Sequence, residues 1–124
     1  MVVGQWLAVG AGAALGAWIR WGLSIAFNAS VLPLGTLIVN LGGGLLMGAA
    51  LAYFVATPTQ NEMRLFVMTG LLGGLTTFSA FSAEAFTLLN KQEYAWAGAH
   101  ILSHVLGSLL MTAIGFWLAN TLRN

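Results

Sequence analysis

The chain has 124 residues, of which 59% are hydrophobic and 6% charged, with a mean hydropathy of +0.88. An average soluble domain carries about a quarter charged residues, so the composition excludes that class and predicts an all-α membrane protein. Four cations against three carboxylates leave a net charge of +1 and form no basic patch for nucleic acid, and the absence of cysteine excludes disulfides, thiolate metal sites and thiol catalysis.

A membrane-crossing helix needs about 20 mostly apolar residues, and four such segments can be placed in order. The first is predicted over Val3 to Phe27. It lacks a basic start and a small-residue cleavage site, so it reads as a permanent helix rather than a signal peptide. Ala8, Gly12 and Gly16 stand four apart, the spacing that lets helix backbones approach closely in lipid, and Arg20 comes late in the span. Asn28 to Pro33 forms a turn.

The second span is predicted over Leu34 to Ala56, where Thr36, Asn40, Gly44 and Gly48 fall on one face. A turn at Thr57 to Asn61 leads to the third span, Met63 to Leu89. Within it the run Gly70 to Ser82 concentrates glycines, hydroxyls and two phenylalanines where lipid favours Leu and Ala. An unpaired backbone group in hydrocarbon costs several kcal/mol, so irregular backbone at that depth must be buried in protein or line a polar cavity. The run therefore predicts a pore or binding site, with Phe78 and Phe81 on one face and Ser79 and Ser82 on another. After a turn at Asn90 to Glu93, the fourth span, Tyr94 to Thr121, aligns His100, His104, Ser108 and Thr112. Residues 1–124 thus read as a single four-span transmembrane domain.

Arg64 and Arg123 lie on the N-terminal side of the membrane, Arg20 and Lys91 on the other. Cytoplasmic loops normally carry the excess of Lys and Arg; an even split predicts insertion in both orientations and an antiparallel dimer. Four packed helices fill their own centre with side chains, so a pore also calls for more than one copy. The polar faces supply hydroxyls, an amide and ring edges with almost no fixed charge. That chemistry suits a small, strongly hydrated ion that must be bound and then released. Aromatic rings are positive at the edge, and Ser, Thr and Asn donate hydrogen bonds, so the ion is expected to be an anion. Arg20 and Glu84 lie near the same interface, where they can pair or reach water separately. His100 and His104 have the spacing of zinc ligands but need a third group from Glu84 or Glu93, and packing histidines are the simpler expectation. The chain contains no aspartate and no phosphate-binding loop of the P-loop type, so no enzyme is expected.

The string Gly73-Gly74-Leu75-Thr76-Thr77-Phe78-Ser79-Ala80-Phe81-Ser82, with Gly12 to Arg20 and Asn40-Leu41-Gly42 ahead of it, resembles the small bacterial fluoride channel family, Fluc (CrcB), and the likeness covers essentially the whole chain. The resemblance implies an antiparallel homodimer of four-span subunits with a broken third helix in the inner membrane. It implies two pores that export fluoride passively and a sodium ion at the dimer centre. By position, Phe78 and Phe81 would present ring edges to fluoride, Asn40 would position the ion and those rings, and Ser79, Ser82, Ser108, Thr112 and Thr36 would be track hydroxyls. Arg20 and Glu84 would be vestibule or supporting charges, and the carbonyls of Gly73 and Thr76 would hold sodium. Trp21 and His104 depart from the family pattern. The alternative is a four-span proton-coupled multidrug exporter, which needs a membrane carboxylate and has none here in the first span; a scaffold subunit would leave the polar faces without a role.

Overall fold

Two prolines bracket the second helix. Pro33 stands at its N-cap and Pro58 follows its C-cap, Thr57, whose φ of −131° and ψ of 69° are already non-helical, as the residue before a proline prefers. The computed structural model describes residues 2–58 and 61–123. It contains α1 (Val2–Phe27), α2 (Leu34–Ala56), α3 (Asn61–Arg64), a π-helical segment (Leu65–Leu72), α4 (Gly73–Leu75), α5 (Phe78–Asn90) and α6 (Tyr94–Arg123). Among the described residues, four helices are long and apolar enough to cross a membrane: Val2–Phe27, Leu34–Ala56, Asn61–Asn90 and Tyr94–Arg123. The first and third begin one and two residues earlier than hydropathy alone predicts, because the helical hydrogen-bond ladder continues beyond the apolar window.

Two close helix contacts organise the protein. α1 packs along the π-helical segment and α4, and α2 packs along α6. Glycine makes both approaches possible. A Cβ at Gly16 would overlap the Leu71 carbonyl oxygen, and one at Gly48 would overlap the Thr112 carbonyl oxygen. Val39, Ala50, Phe54, Leu72 and Leu75 form the buried apolar cluster where these pairs meet.

Most large apolar side chains face outward, as a lipid solvent allows. Trp6 and Trp117 stand toward the N-terminal end of α1 and the C-terminal end of α6, and Trp18, Trp21 and Trp96 toward the opposite ends of those helices, all exposed, as suits amphipathic rings that anchor a spanning helix at headgroup level. Arg123 closes one end by donating to the Ala52 carbonyl (2.7 Å). At the other end, the α5–α6 turn places Gln92 at φ 61°, left-handed backbone that a non-glycine residue seldom adopts.

Candidate functional site

The third membrane segment loses regular winding between α4 and α5. Thr76 (φ −86°, ψ 155°) and Thr77 (φ −149°, ψ 122°) are extended, and the single turn of α4 separates them from the π-helical segment. Exposed backbone of this kind must find partners inside the membrane, and here the side chains supply them. Asn40 Oδ1 accepts the Thr77 N–H (2.8 Å), and its Nδ2 donates to the Thr77 carbonyl (3.0 Å). One amide from α2 thus stands in for a neighbouring strand. Thr77 in turn caps α5, its hydroxyl accepting from the Ala80 N–H (3.1 Å) and pairing with Ser79 Oγ (3.1 Å).

Those bonds change what the nearby carbonyls can do. In a continuous helix the Thr77 N–H would point to Gly73 O and the Ala80 N–H to Thr76 O. Both donors are diverted to side chains, which leaves the Gly73 and Thr76 oxygens without their helical donors. Arg20 Nε takes the Gly74 carbonyl between them (3.1 Å), and the Thr76 amide and hydroxyl both donate to Leu72 O (3.0 and 2.8 Å).

A groove of about 330 Å³ opens beside this break. Phe78 and Phe81 form one wall, Gly43, Gly44, Ser108 and Thr112 another, and Asn40, Thr77 and His104 its polar end. The two phenylalanine rings lie 5.5 Å apart at 60°, an edge-on arrangement. Their exposures differ sharply: Phe81 is 7% exposed and Phe78 is 77% exposed on the protomer surface. Thr112 Oγ1 donates to Ser108 O (2.9 Å). Of the residues singled out from sequence, the groove gathers Asn40, Phe78, Phe81, Ser108 and Thr112, and Thr76 borders it. Ser79 and Ser82 lie outside it on exposed parts of α5.

Thr36 belongs to a second polar group. Buried at 1% exposure, it accepts from Asn28 Nδ2 (3.2 Å) and donates to Glu84 Oε2 (2.7 Å), while its own N–H bonds Asn28 Oδ1 (3.2 Å). Glu84 Oε1 lies 3.4 Å from His100 Nε2. Arg20 and Glu84 therefore turn to different partners. His100 and His104, 2% and 4% exposed, stack against Phe81 with ring centroids 5.3 and 4.7 Å from it. Asn40 Nδ2 also reaches His104 Nδ1 (3.0 Å). Because Asn40 Oδ1 receives a backbone N–H, Nδ2 is the donor and His104 Nδ1 the acceptor, which puts the proton of the neutral ring on Nε2. Sequence spacing places the histidines on one helix face; their stacking on Phe81 and the roles of Asn28 and Thr77 depend on contacts between distant segments.

The family profile described as CrcB-like protein, Camphor Resistance (CrcB), matches residues 7–116, which span the break, the groove and both histidines. The chain belongs to the CrcB-like family. Curated CrcB-like relatives bear the name Fluoride-specific ion channel FluC. The one from Cupriavidus pinatubonensis is 54% identical over 114 residues, covering 90% of each chain. That from Nitrosospira multiformis is 55% identical over 119 residues, 90% of this chain and 93% of the relative, and that from Aromatoleum aromaticum is 55% identical over 113 residues, 89% and 86%. The CrcB-like membership and four membrane-capable helices make this a multi-pass membrane protein.

Proposed function

We propose that this protein is a fluoride-selective ion channel, not an enzyme, that passively exports fluoride across the bacterial inner membrane, lowers cytoplasmic fluoride and confers fluoride resistance. The observation that carries the reading is more than half identity, over about nine-tenths of both chains, to proteins named fluoride-specific channels. The groove agrees chemically: ring edges and hydroxyls with no fixed charge inside it attract a small anion weakly enough to release it.

The functional unit in this reading is an antiparallel homodimer with two pores. The protomer's groove is open on one side and Phe78 is uncovered, so a second copy would close the path and cover the ring. Phe78 and Phe81 would present their edges to the ion, and Ser108 and Thr112 would supply hydroxyls along the groove, with Ser79 and Ser82, outside the protomer's groove, contributing only where a second copy closes the path and Thr36 acting through Glu84. Asn40 has both amide hydrogens engaged; it would act by holding Thr77, and through the α5 cap the two phenylalanines, in place. Arg20 would set the break by taking the Gly74 carbonyl, and Glu84 would support α6 at the vestibule.

The oxygens of Gly73 and Thr76 fit a central sodium ion, because the diverted Thr77 and Ala80 donors leave them available and a hard cation takes oxygen ligands. A bound sodium would neutralise carbonyl dipoles at the centre of the assembly. The test is ion efflux from liposomes holding the purified protein, loaded with fluoride or with chloride and treated with valinomycin to relieve the voltage. Rapid fluoride efflux without chloride efflux is expected. Absence of fluoride efflux would overturn the reading and favour a proton-coupled carrier.

A further inference from the structure

Three side chains converge between α5 and α6, and each carries a buried polar atom with no hydrogen-bond partner among the described residues. Glu84 Oε1, His100 Nε2 and His104 Nε2 are buried and unpaired among the described residues. One ligand atom from each of the three residues lies within 4.8 Å of the others. We propose that Glu84, His100 and His104 form a binding site for a divalent transition-metal ion of the zinc class, separate from the sodium carbonyls.

The donor set is the first reason. Two imidazoles and one carboxylate match a three-ligand zinc centre with one open position. Metal bonds of about 2.0–2.2 Å at tetrahedral angles put ligand atoms roughly 3.4 Å apart, and Glu84 Oε1 and His100 Nε2 already stand at 3.4 Å. The second reason is support around the ligands. Thr36 donates to the other carboxylate oxygen and fixes Glu84, and Phe81 stacks on both imidazoles. The third is access. A cavity of about 400 Å³ bordered by Ser30, Pro33, Thr87, Lys91 and Glu93 reaches Glu84, and His100 lies only six residues, about 9 Å, into α6.

Occupation of this site disturbs Asn40. Coordination through His104 Nδ1 takes the lone pair that accepts from the Asn40 amide; coordination through Nε2 moves the ring proton to Nδ1, against an amide hydrogen. Either route breaks the 3.0 Å contact, and Asn40 is the residue that holds Thr77. Metal binding and the present geometry of the groove are therefore linked.

Cobalt(II) added to the purified full-length protein in detergent reports the site directly. The wild type is expected to develop the visible absorption of four-coordinate cobalt, and zinc to remove it at one ion per protomer. His100→Gln and Glu84→Gln, prepared separately and checked for unchanged elution on size exclusion, are each expected to weaken zinc binding by at least about tenfold. A wild-type protein that gives no such absorption, or variants that bind zinc as the wild type does, would overturn the proposal. The readout is binding, so it stands whether or not fluoride is conducted.

Discussion

Asn40 replaces two backbone partners with a single side chain, and this is where a point substitution should act most strongly. Asn40→Asp puts a carboxylate oxygen against the Thr77 carbonyl and leaves His104 Nδ1 without its donor. Losing hydrogen bonds at buried groups costs about 1–3 kcal/mol. We expect the variant to melt earlier in detergent and to lose fluoride efflux in liposomes, and normal efflux would remove Asn40 from the site. The phenylalanines separate in a different way. Ring interactions are worth about 0.5–1.5 kcal/mol, roughly two- to tenfold in rate. Phe78→Ile is expected to slow fluoride efflux by that amount without altering the melting temperature of the monomeric fold, because the ring is exposed. Phe81→Ile should lower both, since Phe81 packs against two imidazoles. The phenylalanines, Asn40 and the hydroxyls were legible in the sequence as residue types unsuited to plain lipid contact. Which of them share one groove was not, because Ser79, Ser82 and Thr36 satisfy the same polarity pattern while facing elsewhere.

At the level of helices, close packing rather than intrinsic propensity sets the geometry, and the small-residue stripes made this readable in advance. Gly16 and Gly48 lie against carbonyl oxygens of the facing segment, whereas nothing crowds Gly22. Gly48→Val is expected to separate α2 from α6 and abolish the monodisperse peak on size exclusion, while Gly22→Ala leaves it intact. The third membrane segment was the less legible element. Its glycines and hydroxyls mark a region of irregular backbone, but the extended residues fall at Thr76 and Thr77 rather than at a glycine, because Asn40 from another helix pays the backbone hydrogen bonds there. No local pattern in the sequence reports a partner 37 positions away.

For the assembly, Phe78 and one side of the groove are open, and the even split of cations expected from the sequence calls for insertion in both orientations. If two copies insert in opposite orientations, a C-terminal tag should be labelled from both sides of sealed cells, and labelling from one side alone would exclude an antiparallel pair. The sodium proposal belongs to the same scale. Replacing sodium with a large organic cation on both sides of the liposome is expected to reduce fluoride efflux or dissociate the dimer; unchanged efflux and mass would argue against a central sodium.

Composition by itself determined that this is a membrane-spanning α-helical protein, since so few charges and such long apolar runs admit no other solvent, and the Gly73 to Ser82 string with the motifs ahead of it pointed to the family. Helical spacing also placed the polar faces, because a regular period converts position into direction. The tertiary structure alone decided that Asn40 pairs with Thr77, that Arg20 and Glu84 take separate partners, and that His100 and His104 meet Glu84 around Phe81. Those outcomes turn on distances of a few ångströms between side chains from different helices, set by how closely glycine lets the helices approach, and periodicity along one helix carries no record of them.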